Sequence, residues 1–460
     1  MNVAVIGAGW AGLSAALELH HNGHGVTVFE AGHRLGGRAR GVHWPKLDAT
    51  LDNGQHIMLG AYTETLALMR RLKLDPDALL YGMPLALQSA DQRFALRVPD
   101  IAGPLALPVA LLRAQGIGWM ERLRLAALLS RLSWRDWITD LGARSTQQQK
   151  QKKAAAGKPT VAQWLARGRQ SPRLIQSFWE PLCLATMNTP THRACAQLFA
   201  NVLRDSLGAG PNACRVLISR VDLSSLWPEQ LPAEISIKRG HAVRHLEADG
   251  CGVLIEGQAF DAVVIATNVQ PARRLLGQLP CTPGSQEYLA MLSAFEPLPI
   301  ATLTLELSDH WDMPHAMLML AEHPKRRHFG QWLFHCNVFL DEPLATSRLN
   351  VVISHAVDLP NWSVEEIVDG VLEQINEQAT QFAPVPAVRA YELISEKRAT
   401  FAAVPGLKRP SNITPWPQVY AAGDWTDTGY PAVLEGAVRS GLAAARAVNA
   451  GHTCDLGDGI

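Results

Sequence analysis

Neither sign of charge is in excess in this chain of 460 residues: 42 Lys and Arg face 42 Asp and Glu, and charged residues make up only 18%. A nucleic-acid binder would carry a basic surplus or stripe, so no nucleic-acid partner is expected. Apolar runs are short. None reaches the roughly 18 residues of a spanning helix, and the nearest, Ile101 to Leu112, is broken by Pro104 and Pro108. A basic leader is missing at the N-terminus, where Gly7 already lies in a glycine-rich turn, so a cytoplasmic location is expected. CxxC spacing is also absent. The seven cysteines (183, 195, 214, 251, 281, 336 and 454) fit neither a zinc site nor a disulfide framework; they suit a reducing compartment, and no metal ligand is expected.

The length calls for two domains or a discontinuous pair, and 47% hydrophobic residues suffice for their cores. Asn2 to Ile6 reads as a buried strand, followed by a glycine turn and a helical pattern through Leu13, Ala16, Leu17 and His20. Asn22-Gly23 stops that helix, and Val26 to Glu30 reads as a second strand. This βαβ opening implies a parallel sheet. Helical spacing recurs over Ala61 to Leu72 and Val161 to Thr189. Strands are expected at 235–237, 243–246, 253–256 and 262–266, with a hairpin turn at Asp249-Gly250. Further β-rich stretches cover 300–305, 331–340, 349–355 and 418–421, before a last helix from about Leu434 to Val448. The tract from Thr146 to Pro159, with its QQQKQKK core, reads as a polar loop.

Gly116 to Trp137 differs in character, because its leucines are accompanied by Arg113 just before it and by Arg122, Arg124, Arg131 and Arg135 within it, against few acids. A basic amphipathic helix of this kind fits a membrane interface, and fits equally a surface helix packed on its own domain. In the first case the 101–137 region would rest on the inner face of the cytoplasmic membrane.

Chemistry enters at Gly7-Ala8-Gly9-Trp10-Ala11-Gly12, a GxGxxG placed after a strand and opening a helix. The glycines permit a tight turn and let backbone N–H groups approach a pyrophosphate at the helix N-terminus. Glu30, 18 residues after Gly12, suits a hydrogen bond to an adenosine ribose and disfavours a 2′-phosphate, leaving NAD or FAD. Two further segments favour FAD. Leu35-Gly36-Gly37-Arg38 resembles the extension found in the flavin amine oxidase and phytoene desaturase superfamily. Near the other end stand Gly423-Asp424 and Glu435-Gly436-Ala437, which resemble that superfamily's flavin-contacting segment and the helix aimed at the flavin.

The strings VIGAGWAGLSAA, LDNGQHIMLGAY, FWEPLCLATMNTP, EKRATFAAVPG and AAGDWTDTGYPAVLEGAVRSG resemble, more narrowly, the squalene-associated FAD-dependent desaturases. That is the hydroxysqualene dehydroxylase family of bacterial hopanoid synthesis, and the likeness runs from Val3 to about Ala445. It implies an α/β fold: a Rossmann-like FAD-binding domain from residues 1–85, 215–280 and 405–460, and an inserted α+β substrate domain from 86–214 and 281–404. It also implies reductive removal of the hydroxyl of hydroxysqualene, a polyprenyl substrate, at the expense of reduced FAD. No motif names the electron donor. The FAD contacts carried over by the resemblance are Gly7, Ala8, Gly9, Ala11, Gly12, Glu30, Ala31, Arg38, Val243, Gly423, Asp424, Val433 and Leu434. Arg40 departs from the Ser or Thr that usually follows GGR.

His56, in the segment expected to pass the flavin ring, is the candidate catalytic acid, set against a backbone-bonding role. Asp52 and Gln55 read as structural or flavin-orienting, Tyr430 and Asp427 as weaker acids, and Lys397-Arg398 as complements to flavin charge or solvated strand ends. A carotenoid-type desaturase would run the same hydride step in the oxidising direction. Val433, where flavin amine oxidases usually carry an aromatic, counts against amine oxidation. A flavin-independent prenyl-lipid binder would show a degraded C-terminal segment, which Gly423-Asp424 and Glu435-Gly436-Ala437 do not.

Overall fold

The computed structural model describes residues 1–46, 49–101, 106–130, 158–250, 252–341 and 344–455, without the side chains of 452–455. The QQQKQKK core of the polar tract and the end of the basic stretch, beyond Ser130, lie outside the described residues.

Two sheets organise the chain. The first is parallel, with strands Ser236–Lys238, Gly25–Phe29, Asn2–Ile6, Ala262–Ile265 and Val419–Ala421 side by side. Its inner strands are unbroken apolar runs, Val3 to Ile6 and Ala262 to Ile265, because both faces are covered. Val3, Val5 and Val264 share a core with two helices, and Ala4, Ile6, Val263 and Ile265 share one with Val253, Ile255 and Phe260 of a small antiparallel sheet. The helix Trp10–His21 packs against the final helix, Leu434–Asp455. Gly441 permits that approach: a Cβ there would stand 2.1 Å from the Ala11 carbonyl oxygen. Ser14 Oγ spans the crossing to Val438 O at 3.3 Å.

The second sheet is antiparallel, in the order Met317–Met319, Trp332–His335, Arg348–Ser354, Pro297–Leu307 and Val388–Phe401. Alternation along its longest inner strand separates two faces. Ala301, Leu303, Leu305 and Leu307 are fully buried in one core with Ile367, Val371 and Ile375 of the helix Val364–Gln378. Thr302, Thr304 and Glu306 take the opposite face, where Trp332, Phe334, Met317 and Met319 join the main core. A capping box between Ser363 and Glu366 starts the covering helix.

Several expected boundaries move. Val243 is buried but lies in a non-strand segment, and the strand expected at 243–246 begins only at Leu246. It pairs through the expected hairpin, with Gly250 at φ +53°. The stretch 331–340 is strand only over Trp332–His335 and then turns 3-10. The strand Val388–Phe401 was not expected beyond its Lys397-Arg398 end. It is an edge strand, half-exposed on both faces, so it carries no clean alternation.

Candidate flavin site

The GxGxxG turn follows Ile6 and leads into the first helix. Gly7 has φ +109°, and a Cβ at Gly12 would stand 1.9 Å from Gly7 O, so the turn and the close helix packing require both glycines. Gly9 is different: its Cβ would meet only Gly37 Cα, at 3.8 Å. The fold leaves room there that it does not use, as a phosphate cradle needs. Glu30 curls beside this turn, its carboxylate accepting the N–H groups of Ala8 and Gly32, each at 2.7 Å. His241 N–H bonds to Glu30 O at 2.8 Å, which lays the segment leading to Val243 alongside Glu30 and the exposed Ala31.

The GGR segment folds back onto the turn through a Gly9–Gly36 bridge. Arg40 donates to Gly37 O, so the residue that departs from the family pattern closes this turn itself. Arg38 reaches further and donates to Ala399 O and Asp424 Oδ1, each at 2.7 Å. Burial opposes its charge, but the Asp424 carboxylate prevails and holds the guanidinium pKa above its ordinary value. A small open cleft lies here, lined among others by Arg38, Asn268, Arg398, Thr400, Asp424 and Trp425. Arg398 is exposed at its edge.

The loop from Asp424 to Tyr430 is tied down by Arg409, which donates to the carbonyls of Asp424, Trp425, Thr426 and Tyr430 and to Thr428 Oγ1. Val433 and Leu434 stand at the entry of the final helix. Glu435 turns away from the cleft. Its buried carboxylate accepts the N–H groups of Glu64 and Thr65 at 3.0 Å, capping the helix Thr63–Arg71. Tyr430 is engaged as well, its hydroxyl donating to Asp205 at 2.5 Å, whereas Asp427 is exposed.

The segment Asp52 to His56 leads from the strand Ala49–Asp52, half of a two-stranded hairpin, to the polar face of the five-stranded antiparallel sheet. Gln55 N–H donates to Thr302 Oγ1 at 3.3 Å, Asn350 Nδ2 to Gln55 Oε1 at 2.8 Å, and Thr304 Oγ1 to Asn350 Oδ1 at 2.8 Å. Sequence reasoning missed Thr302, Thr304 and Asn350, although the alternation in ATLTLEL marks the first two. His56 Nδ1 bonds Gly54 O at 2.8 Å. Burial lowers its pKa, against that bond and with help from the Arg38 charge, so the ring is neutral at pH 7 with Nδ1–H donating. Asp52 goes the other way. Burial pushes its carboxyl to about 8, against the Leu223 N–H bond and with Asp222 adding.

The middle motifs meet at the same seam. Asn188, at φ +47°, donates to Pro299 O at 3.2 Å and Thr400 Oγ1 at 2.9 Å, joining FWEPLCLATMNTP to EKRATFAAVPG. Elsewhere, His328, Glu373 and Glu377 offer ligand atoms within 4.8 Å of one another, although no metal ligand was expected; Arg326 already neutralises both carboxylates.

A glycine turn between a buried strand and a helix, a carboxylate folded beside it and an inserted antiparallel sheet fit a flavin-dependent oxidoreductase. The chain belongs to the family described as flavin containing amine oxidoreductase, which matches residues 10–449. It is 31% identical to the hydroxysqualene dehydroxylase of Rhodopseudomonas palustris, over 96% of this chain and 97% of that one. The 15-cis-phytoene desaturase of Synechococcus elongatus is 24% identical over 97% and 96%. Cyclohexylamine oxidase from Brevibacterium oxydans shares the fold, with TM-score 0.67 and 17% identity over 99% of each chain.

Proposed function

We propose that the chain binds FAD and reduces hydroxysqualene to squalene. Gly9 carries the cofactor assignment: the turn leaves open space there, beside a carboxylate suited to ribose and an arginine suited to phosphate. Gly7, Ala8, Gly9, Ala11 and Gly12 hold the pyrophosphate, with Arg38 nearby. Glu30, Ala31 and Val243 hold the adenosine, and Gly423, Asp424, Val433 and Leu434 the ribityl and ring portion. The substrate assignment rests on whole-length similarity to hydroxysqualene dehydroxylases, greater than to phytoene desaturases.

Reduced FAD supplies hydride when bound. One C–O bond breaks and one C–H bond forms, and a proton must reach the departing oxygen so that it leaves as water. Water must otherwise be kept away, because it would recapture an allylic cation. The face bearing Thr302 suits this task. Met319, Trp332 and Val352 continue its row as an apolar floor, and Trp332 Nε1 is buried without a hydrogen-bond partner among the described residues. His56 and Asp52 are the two candidate proton sources.

Anaerobic incubation of flavin-loaded enzyme with reduced FAD and hydroxysqualene tests the reading, and squalene is the expected product. No squalene from fully loaded enzyme would sink it. A desaturated product from phytoene would favour the oxidising direction.

A further inference from the structure

Exposed large apolar side chains gather at one corner. Leu112, Trp119, Met120 and Leu123 are 57%, 61%, 59% and 48% exposed. They sit where the helix Ala106–Arg113 turns into the helix Trp119–Ser130, and Ile101, 41% exposed, precedes them. Folding alone gains nothing from a tryptophan and a methionine held out together at a helix start, and a clustered exposed patch marks a contact surface.

The corner is held in place. Arg122 donates to Leu112 O and Ala114 O, each at 2.6 Å, closing the carbonyl end of the first helix. Glu121 accepts the Gly118 N–H at 2.8 Å and the Ser171 hydroxyl. Cations surround it. Arg113, Arg124, Arg167, Arg169 and Arg173 are exposed, and Glu121 is the single acid within 106–130 and 158–174. Arg124 also donates to Arg169 O at 3.4 Å, joining the two arginine-bearing segments. The inner faces of both helices, through Ala110, Leu111, Leu125, Leu128 and Leu129, share one core with Met319 and Trp332 on the proposed substrate floor.

We propose that this corner docks on an anionic lipid bilayer, with Trp119, Met120, Leu112 and Leu123 entering the interface and the arginines meeting lipid phosphates. Aromatic and aliphatic side chains rimmed by arginine match the two layers of a bilayer surface, apolar beneath and anionic above. No described helix is long and apolar enough to cross a membrane, so the contact is peripheral. The proposal rests on the reading above only in supplying its purpose, since a polyprenyl substrate resides in the bilayer.

The test is co-sedimentation of the flavin-loaded chain with vesicles of phosphatidylcholine, with and without phosphatidylglycerol. Binding is expected to need phosphatidylglycerol and to fall with salt. The double variant Trp119→Ser/Met120→Ser should lose it, and Arg113→Gln/Arg124→Gln should weaken it about fivefold per arginine. An unbound wild type, or variants that bind as wild type does, would overturn the proposal. So would a patch whose substitution splits a dimer at unchanged vesicle affinity. Hydroxysqualene conversion in detergent micelles separates the two readings: the Trp119/Met120 variant should keep it and lose conversion from vesicles. No conversion in either medium, with vesicle binding intact, would count against the activity and leave docking standing.

Discussion

Arg38 and Asp424, 386 positions apart in sequence, form a 2.7 Å ion pair across the cleft that both line. Asp424 is 7% exposed and Arg38 27%, so neither charge is well solvated. Removing one partner strands the other. Asp424→Ala should cost about 3 kcal/mol in urea unfolding and yield flavin-poor protein by absorbance near the visible flavin band. Wild-type stability in that variant would show the pair to be incidental.

The two glycines of the turn should fail differently. Gly12→Val places a side chain into Gly7 O and should prevent folding. Gly9→Val meets no protein atom closer than 3.8 Å at Cβ, so it should keep its circular dichroism and melting while losing bound FAD. Normal flavin content in folded Gly9→Val would refute the cradle.

The proton source should declare itself in the pH profile. Burial lowers the His56 pKa, so an acid role predicts a rate that climbs only as pH falls below the ordinary imidazole range, flattened by His56→Gln. Asp52 is protonated until about pH 8, so an acid role there predicts a plateau at neutral pH and a fall above 8, abolished by Asp52→Asn.

Asp52 also has a stability signature. Its folded pKa is raised above its unfolded value, so its favourable contribution is complete below about pH 4 and lost as pH rises toward 8. Asp52→Asn keeps an oxygen for the Leu223 N–H. It should be more stable than wild type by up to about 5 kcal/mol at pH 8.5, with the gain shrinking toward pH 4. A pH-independent difference would contradict the buried carboxyl.

Glu435 is a structural residue inside a flavin motif. Glu435→Ala leaves the N–H groups of Glu64 and Thr65 without their acceptor and should cost about 2 kcal/mol. Glu435→Gln should recover part of that loss, since one oxygen remains.

Much of this was legible in the chain itself. Glycines at 7, 9 and 12, after a buried strand and into a helix, specify a tight turn locally, because the constraint is on neighbouring backbone. The continuous apolar runs of the parallel strands, and the motifs that place the chain in its family, are likewise properties of short segments. Tertiary structure alone decided which segments meet. The pairing of Arg38 with Asp424, the seating of Gln55 on Thr302 and Asn350, and the turning of Glu435 toward Thr65 each depend on contacts hundreds of residues apart. So do the opposed pKa shifts of His56 and Asp52, four positions apart, because burial and neighbouring charge belong to the folded surroundings and not to the residue.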